Sequence, residues 1–292
     1  MDDLAAILTA TLVNGCLLAL LSVGFVLIFR ATGVVSFAQG AWMVFGAVFF
    51  YSFAKLGWGL VPSLLASAVL VFAGSALAFR LVFARLIGAP PFVTAIATIG
   101  LATLLQAVAV LVWSDQPIAL PGSLLSLNAI HLGGAFDTNQ VQLFTVVVAA
   151  GVFALVIIGL RRTPIGLRMR MVSDNPRLAA FNGINVSRVS ALAWALAGLT
   201  AALAGAAFLL GTQSSPSTVY ELGLSAFPAI LLGGLDSVIG ALVGGLVIAL
   251  VGAVTTIYFG GQWTEFASYL LLLLVLLLRP SGLFGKAQVS RV

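Results

Sequence analysis

Charge is what this sequence has least of. Only 7% of its 292 residues are Asp, Glu, Lys or Arg, against 62% hydrophobic, and the mean hydropathy is +1.21. A soluble domain carries about 25% charged residues, so this composition excludes a surface covered by water. Histidine is nearly missing too. His131 stands alone in a polar stretch, which excludes a histidine-based metal site or catalytic triad and leaves a solvated loop residue. The single cysteine, Cys16, lies in the first apolar run; it excludes an internal disulfide and reads as a small packed side chain. No G-x-x-x-x-G-K-[ST] motif occurs, because Gly285-Lys286-Ala287 lacks the upstream glycine and the hydroxyl, so no P-loop nucleotide site is expected. The apolar runs also lack central carboxylates. Glu221 and Glu265 fall at run ends and Asp236 at a break, whereas ion-coupled transporters commonly place such groups near the midplane. A pump without a coupling charge must take its energy from a partner.

What is abundant is long apolar sequence. Runs occupy roughly 4–29, 33–53, 60–84, 92–113, 141–160, 187–211, 222–257 and 264–279, and a helix needs about 20 apolar residues to cross a bilayer. The predicted fold is an all-α integral membrane protein, a polytopic bundle forming one transmembrane domain over 1–292. The opening Met1-Asp2-Asp3 is acidic, so the first run is expected to be a retained span rather than a cleaved signal. The run 222–257 is too long for one plain span and carries Gly233-Gly234-Leu235-Asp236-Ser237 in its middle. It reads as a broken helix pair, with one long kinked helix as the alternative.

Basic residues orient the bundle. With the N-terminus outside, the inner side collects Arg30, Arg80, Arg85, the arginines between 161 and 188, Arg279, Lys286 and Arg291, leaving only Lys55 outside. The outer side takes Asp2, Asp3, Asp115, Asp137, Glu221 and Glu265. This satisfies the positive-inside rule, places the C-terminus inside and requires 222–257 to cross twice. Small residues form two stripes: Ala193, Ala197, Ala201 and Gly205, and Gly240 and Gly244 beside Ala241, Gly245, Ala249 and Ala253. Such stripes serve either a subunit interface or packing within the chain.

The longest inner loop, 161–186, reads RRTPIGLRMRMVSDNPRLAAFNGINV. Asp174 or Asn175 can cap a short helix that starts at Pro176 and is stopped by Gly183. It is either a lever for a docked protein or a plain interfacial anchor. Asn185-Val186-Ser187 fits a glycosylation sequon, but on the inner side. Polar groups inside the apolar runs include Asn14, Ser36, Gln39, Thr94, Thr98 and Gln106. They line a pathway or bond between helices. Ser36 and Gln39 share a face, as do Thr94 and Thr98. The stretch 32–40 is rich in small residues and reads as a broken helix, which makes Gln39 the leading pathway candidate.

The loop resembles the cytoplasmic coupling segment of bacterial ABC permeases, in particular the branched-chain amino acid permease family of the LivH type. Other stretches share the resemblance: Asn14-Gly15 with Gly24; Thr32-Gly33-Val34-Val35-Ser36-Phe37-Ala38-Gln39-Gly40; Gly88-Ala89-Pro90-Pro91 leading into Thr94, Thr98 and Gly100. Leu232-Gly233-Gly234-Leu235-Asp236-Ser237 with Gly240 and the closing Leu278-Arg279-Pro280-Ser281-Gly282-Leu283 extend it over nearly the whole chain. The sequence departs at Gln39, where the family usually has His, and at Asp236, where it usually has Gly, which leaves the cargo open. Members carry branched-chain and other amino acids, or urea and short amides; an ion-coupled secondary transporter is the rival reading.

The resemblance implies a non-enzymatic subunit of the bacterial inner membrane, with no cofactor in this chain. It implies pairing with a second homologous permease, two cytoplasmic ATPases that bind ATP and Mg, and a periplasmic or lipid-anchored solute-binding protein. The ATPase contact is then expected at Arg168, Arg170, Asp174, Asn175, Pro176, Ala179, Ala180 and Gly183. Asn14, Ser36, Gln39, Thr94 and Thr98 are the expected pathway residues.

Overall fold

Proline and short polar side chains punctuate the apolar runs into helices. In the computed structural model, which describes residues 2–120, 124, 129–131 and 137–285, eleven α-helices follow one another. They are α1 (Asp2–Thr32), α2 (Gln39–Lys55), α3 (Leu60–Leu81), α4 (Pro91–Trp113), α5 (Gln140–Arg162), α6 (Pro164–Asp174), α7 (Pro176–Phe181), α8 (Val186–Gly211), α9 (Pro216–Gly233), α10 (Val238–Tyr258) and α11 (Thr264–Leu278). Pro91, Pro164, Pro176 and Pro216 each open a helix, where the missing N–H costs nothing. Asn139 and Gln142 form a capping box at the start of α5, and Ser215 and Ser237 cap α9 and α10 through their hydroxyls. One small departure from an all-α chain is an antiparallel ribbon, β1 (Ala129–His131) with β2 (Asp137–Asn139), in the connection between α4 and α5. The side chains of Asp2, Asp3, His131 and Asp137, and residues Lys286 and Arg291, lie outside the described set.

Seven of these helices are long and apolar enough to cross a membrane; α2 and α9 are not among them. α2 has 17 residues, about 25 Å of helix, and most of its length is buried against other helices rather than lipid. The run 222–257 is broken as the sequence predicts: α9 ends at Gly233 and α10 begins at Val238, so it is not one kinked helix.

α1 and α8 form the centre, with 78% and 72% of their apolar windows buried, against 17% for α4 and 11% for α11. The two small-residue stripes explain how the centre closes. Ala193, Ala197 and Ala201 are fully buried, and a β-carbon on Gly205 would collide with the carbonyl of Met43. A β-carbon on Gly244 would meet the carbonyl of Ala229, and one on Gly245 would stand 2.8 Å from the nitrogen of Ala19. Both stripes therefore serve backbone approach within the chain, α8 against α2 and α10 against α9 and α1. α2 and α9 cross most tightly where Gly40 meets Gly223.

Each end of the bundle is tied separately. At one end Arg30 donates to the Asp236 carbonyl through Nε at 2.7 Å and also through Nη2, which fixes the α9–α10 break to the end of α1. The tail folds over the same break: Leu283 N donates to Leu232 O at 2.8 Å and Phe284 N to Gly233 O at 3.0 Å. These bonds satisfy carbonyls that the end of α9 would otherwise leave bare. At the opposite end Asp115 accepts from Ser217 N at 2.9 Å and from Ser217 Oγ at 2.7 Å, while Ile118 N donates to Ser214 O at 3.1 Å. The two bonds from Ser217 hold the Asp115 carboxyl below its ordinary range, the side-chain one contributing most.

Candidate functional site

The loop 161–186 is built from two helices rather than one. Of the two candidate caps Asn175 does the work: its Oδ1 accepts from Arg177 N and Leu178 N, both at 3.0 Å, while Asp174 is the last residue of α6. Gly183 stops α7 with φ +77, a left-handed conformation that favours glycine, and Ile184 N closes back on Ala179 O at 3.0 Å. Ala179 is buried, whereas Arg168, Arg170, Asp174, Asn175, Pro176, Ala180 and Gly183 are exposed.

Sequence reasoning missed α6. Its signal was present in Thr163-Pro164 and in the spacing of Gly166, Met169 and Val172, the three residues it buries. It also missed Phe181, which is 87% exposed at the tip of α7, with Leu178 at 58% beside it. Large apolar side chains held out from a short polar-flanked helix mark a surface meant to be covered.

The predicted break after α1 is also present. Residues 33–38 are non-helical, and irregular backbone at membrane depth is tolerated only where protein satisfies it. Two of the predicted pathway residues do this, Ser36 and Thr98. Ser36, Gln39 and Thr98 are fully buried and Thr94 nearly so. Phe37 N donates to Thr98 Oγ1 at 3.0 Å, and Thr98 Oγ1 donates on to Ala95 O at 2.7 Å. Ala38 N donates to Ser36 Oγ at 3.4 Å. Gln39 Nε2 donates to Ala197 O on α8 at 2.9 Å, in a space that exists because Gly24 lacks a β-carbon; its Oε1 is buried without a partner among the described residues. The amide thus joins α2 to α8. A narrow cavity of about 70 Å³, lined by Val34, Thr94, Val172, Pro176 and Trp194 among others, separates this segment from the start of α7. α7 and the broken segment are therefore neighbours. Asn14 is placed differently: it is exposed, in a groove of about 330 Å³ walled by α1, α9, α10 and α11.

The family described as "Branched-chain amino acid transport system / permease component" matches residues 7–278. The chain belongs to this family. It is 28% identical to the high-affinity branched-chain amino acid transport system permease protein LivH of Escherichia coli K12, over 95% of this chain and 94% of that one. It is 29% identical to the corresponding permease BraD of Pseudomonas aeruginosa, over 96% of this chain and 97% of the relative. The ribose import permease RbsC of Bacillus subtilis shares 30% identity over 54% of this chain and 49% of its own length. Permeases named for a sugar and for amino acids thus share much of this sequence pattern, so the architecture does not by itself name the cargo. This permease is a multi-pass membrane protein of a transport system. What the arrangement offers is an exposed capped helix, a broken segment beside it and an open groove with polar groups on its rim.

Proposed function

We propose that this permease is one of two membrane subunits of an ATP-driven importer for branched-chain or related amino acids. The second subunit is a homologous permease. Two cytoplasmic ATPases bind ATP and Mg, this chain holding no cofactor, and a periplasmic or lipid-anchored binding protein delivers the cargo. The end bearing α6, α7 and Arg30 faces the cytoplasm, with the N-terminus outside and the C-terminus inside. The arginine distribution supports this, and so does the bond from Arg30 to Asp236, which puts the α9–α10 break at the same end.

The observation that carries the reading is α7: a rigidly capped helix of six residues that holds Phe181 and Leu178 out of the protein. Phe181 enters a groove of the ATPase, Leu178 flanks it, and Arg168, Arg170, Asp174, Asn175, Pro176, Ala180 and Gly183 form the rim. Ala179 packs inward and keys α7 to the permease. Closure of the ATPases on nucleotide moves α7, and the cavity beside Pro176 and Thr94 lets that motion reach residues 33–38. The pore then alternates between two states, each favoured by a different set of bound partners. Ser36, Gln39, Thr94 and Thr98 shape the moving wall, and Asn14 faces the solute.

The test is co-purification of the ATPase subunit in mild detergent. Phe181→Asp is expected to lower its recovery by about tenfold or more, as loss of a buried aromatic anchor does, while the permease itself stays folded. Undiminished recovery would remove the docking role from α7.

A further inference from the structure

Polar side chains are not spread evenly over the membrane-facing surface of this permease. Across the middle of α3 and α5 the exposed residues are apolar: Val61, Leu65, Val69 and Leu77 on one, Leu143, Val147, Leu155 and Ile158 on the other. That surface suits lipid. The groove between α1, α9, α10 and α11 does not. Its walls include Asn14, Ser225, Thr256, Glu265, Ser268 and Tyr269. Some of these are satisfied locally: Ser268 Oγ donates to Thr264 O at 2.8 Å, and Ser225 Oγ donates to Glu221 O at 3.1 Å. Three are not. The Asn14 amide, the Glu265 carboxylate and the Tyr269 hydroxyl make no hydrogen bond with any described residue, although all three border the groove.

Asn14 stands mid-way along α1, where an unpaired amide facing hydrocarbon is costly, so the groove holds water, a partner or a solute. Its shape decides among them. Permanent helix interfaces in a membrane close through small residues; this groove has small residues on its α10 wall, Ala249, Gly252 and Ala253, yet it does not close. The groove is instead hollow, at about 330 Å³ within the range of roughly 300–1,000 Å³ of small-molecule sites. Its lining mixes two chemistries: Leu18, Leu222 and Ile248 are aliphatic, and a carboxylate, an amide and a phenol border the same opening. Pro228, which also lines it, leaves the Leu224 carbonyl without its helical donor four residues on.

We propose that this groove is a cargo site of the permease, taking a small zwitterion with a primary ammonium and an aliphatic side chain. Glu265 is the counter-charge for the ammonium, Asn14 and Tyr269 bond its polar end, and Leu18, Leu222 and Ile248 receive the side chain. Thr218 and Glu221, exposed on α9 and three residues apart, continue the polar line toward the end of the bundle tied by Asp115. This rests on the transport reading and adds the place and the chemistry of the cargo contact.

The complete transporter, reconstituted with its ATPases and binding protein and with Cys16→Ala as background, provides the test. Ser225→Cys and Thr256→Cys are expected to react with a membrane-impermeant maleimide, and leucine delivered by the binding protein should slow the reaction several-fold. Glu265→Gln is expected to lower leucine uptake by about tenfold, the effect of losing one charge-assisted hydrogen bond. Glu265→Asp should restore much of it, and ATPase co-purification should stay at the wild-type level in both. Labelling by a lipid-soluble reagent alone would make the groove a lipid surface. Labelling of the isolated chain but not of the assembled complex would make it a subunit interface. Either result, or unchanged uptake by Glu265→Gln, overturns the cargo site while leaving the transport function standing. A wild-type complex that moves no amino acid would fell the transport reading and the cargo site with it.

Discussion

The face made by α3 and α5 and the face centred on α9 are built from the same few residue types and behave as opposites. On α3 the serines, Ser63, Ser67 and Ser75, are fully buried and the exterior is apolar. On α9 Thr218 and Glu221 point outward, while Gly223, Ala226 and Ala229 are packed inside. Mean composition therefore says little about a membrane helix. Which side its polar residues occupy says whether lipid or something wetter lies against it.

Backbone contact gives the sharpest contrast. Gly223→Ala puts a β-carbon into the backbone of Gly40, where neither α2 nor α9 has room to yield. A loss of about 3 kcal/mol or more is expected, read as a lowered unfolding temperature in detergent. Gly100→Ala on α4 meets nothing within 4 Å and is expected to be neutral or stabilising by up to about 1 kcal/mol. Equal effects would break the distinction between centre and periphery. Charge probes the two faces next. Val69→Lys, mid-way along α3 and 62% exposed, is expected to cost about 2.5–3.5 kcal/mol of membrane insertion. Ser225→Lys is expected to insert normally and to stop uptake, as glycosylation-mapping and transport assays would show.

Smaller effects belong to the tied ends. Arg30→Met leaves the Asp236 carbonyl without these two donors, an expected loss of about 1–3 kcal/mol in thermal unfolding. Asp115→Asn is the mildest. The carboxyl's folded pKa lies below its unfolded value, so its tie to Ser217 contributes fully above the ordinary carboxylate range and is lost as pH falls through the lowered value. Wild type should therefore lose a small stability increment below about pH 4 that Asp115→Asn does not have to lose. Parallel unfolding profiles of the two across that window would deny the tie any role.

Much of this architecture was legible in the residues. Apolar run length located the long helices, the glycine pair at 233–234 located the break, and Pro176 with Gly183 located α7. What escaped has physical causes. α6 is short, amphipathic and arginine-bearing, so it read as loop between spans. The partner of Gln39 was not legible because an amide in an apolar run has the same appearance whether it meets a solute or, as here, the carbonyl of Ala197. The groove was invisible because Asn14 and Glu265 come from opposite ends of the chain and only folding sets them along one opening. Phe181 needed coordinates as well: an apolar residue shows its meaning only when it is seen to be left out of the core.

The tail bonds from Leu283 and Phe284 to the last carbonyls of α9 bear on where this molecule can flex. A glycine pair between two spans invites description as an elbow. Yet α9, α10 and the segment after α11 are buckled into a closed loop at that point, with Arg30 clasping it from the side. A buckled loop swings as one block. Bending during a transport cycle has to be sought at residues 33–38, leaving 233–237 as the rivet about which the block is carried.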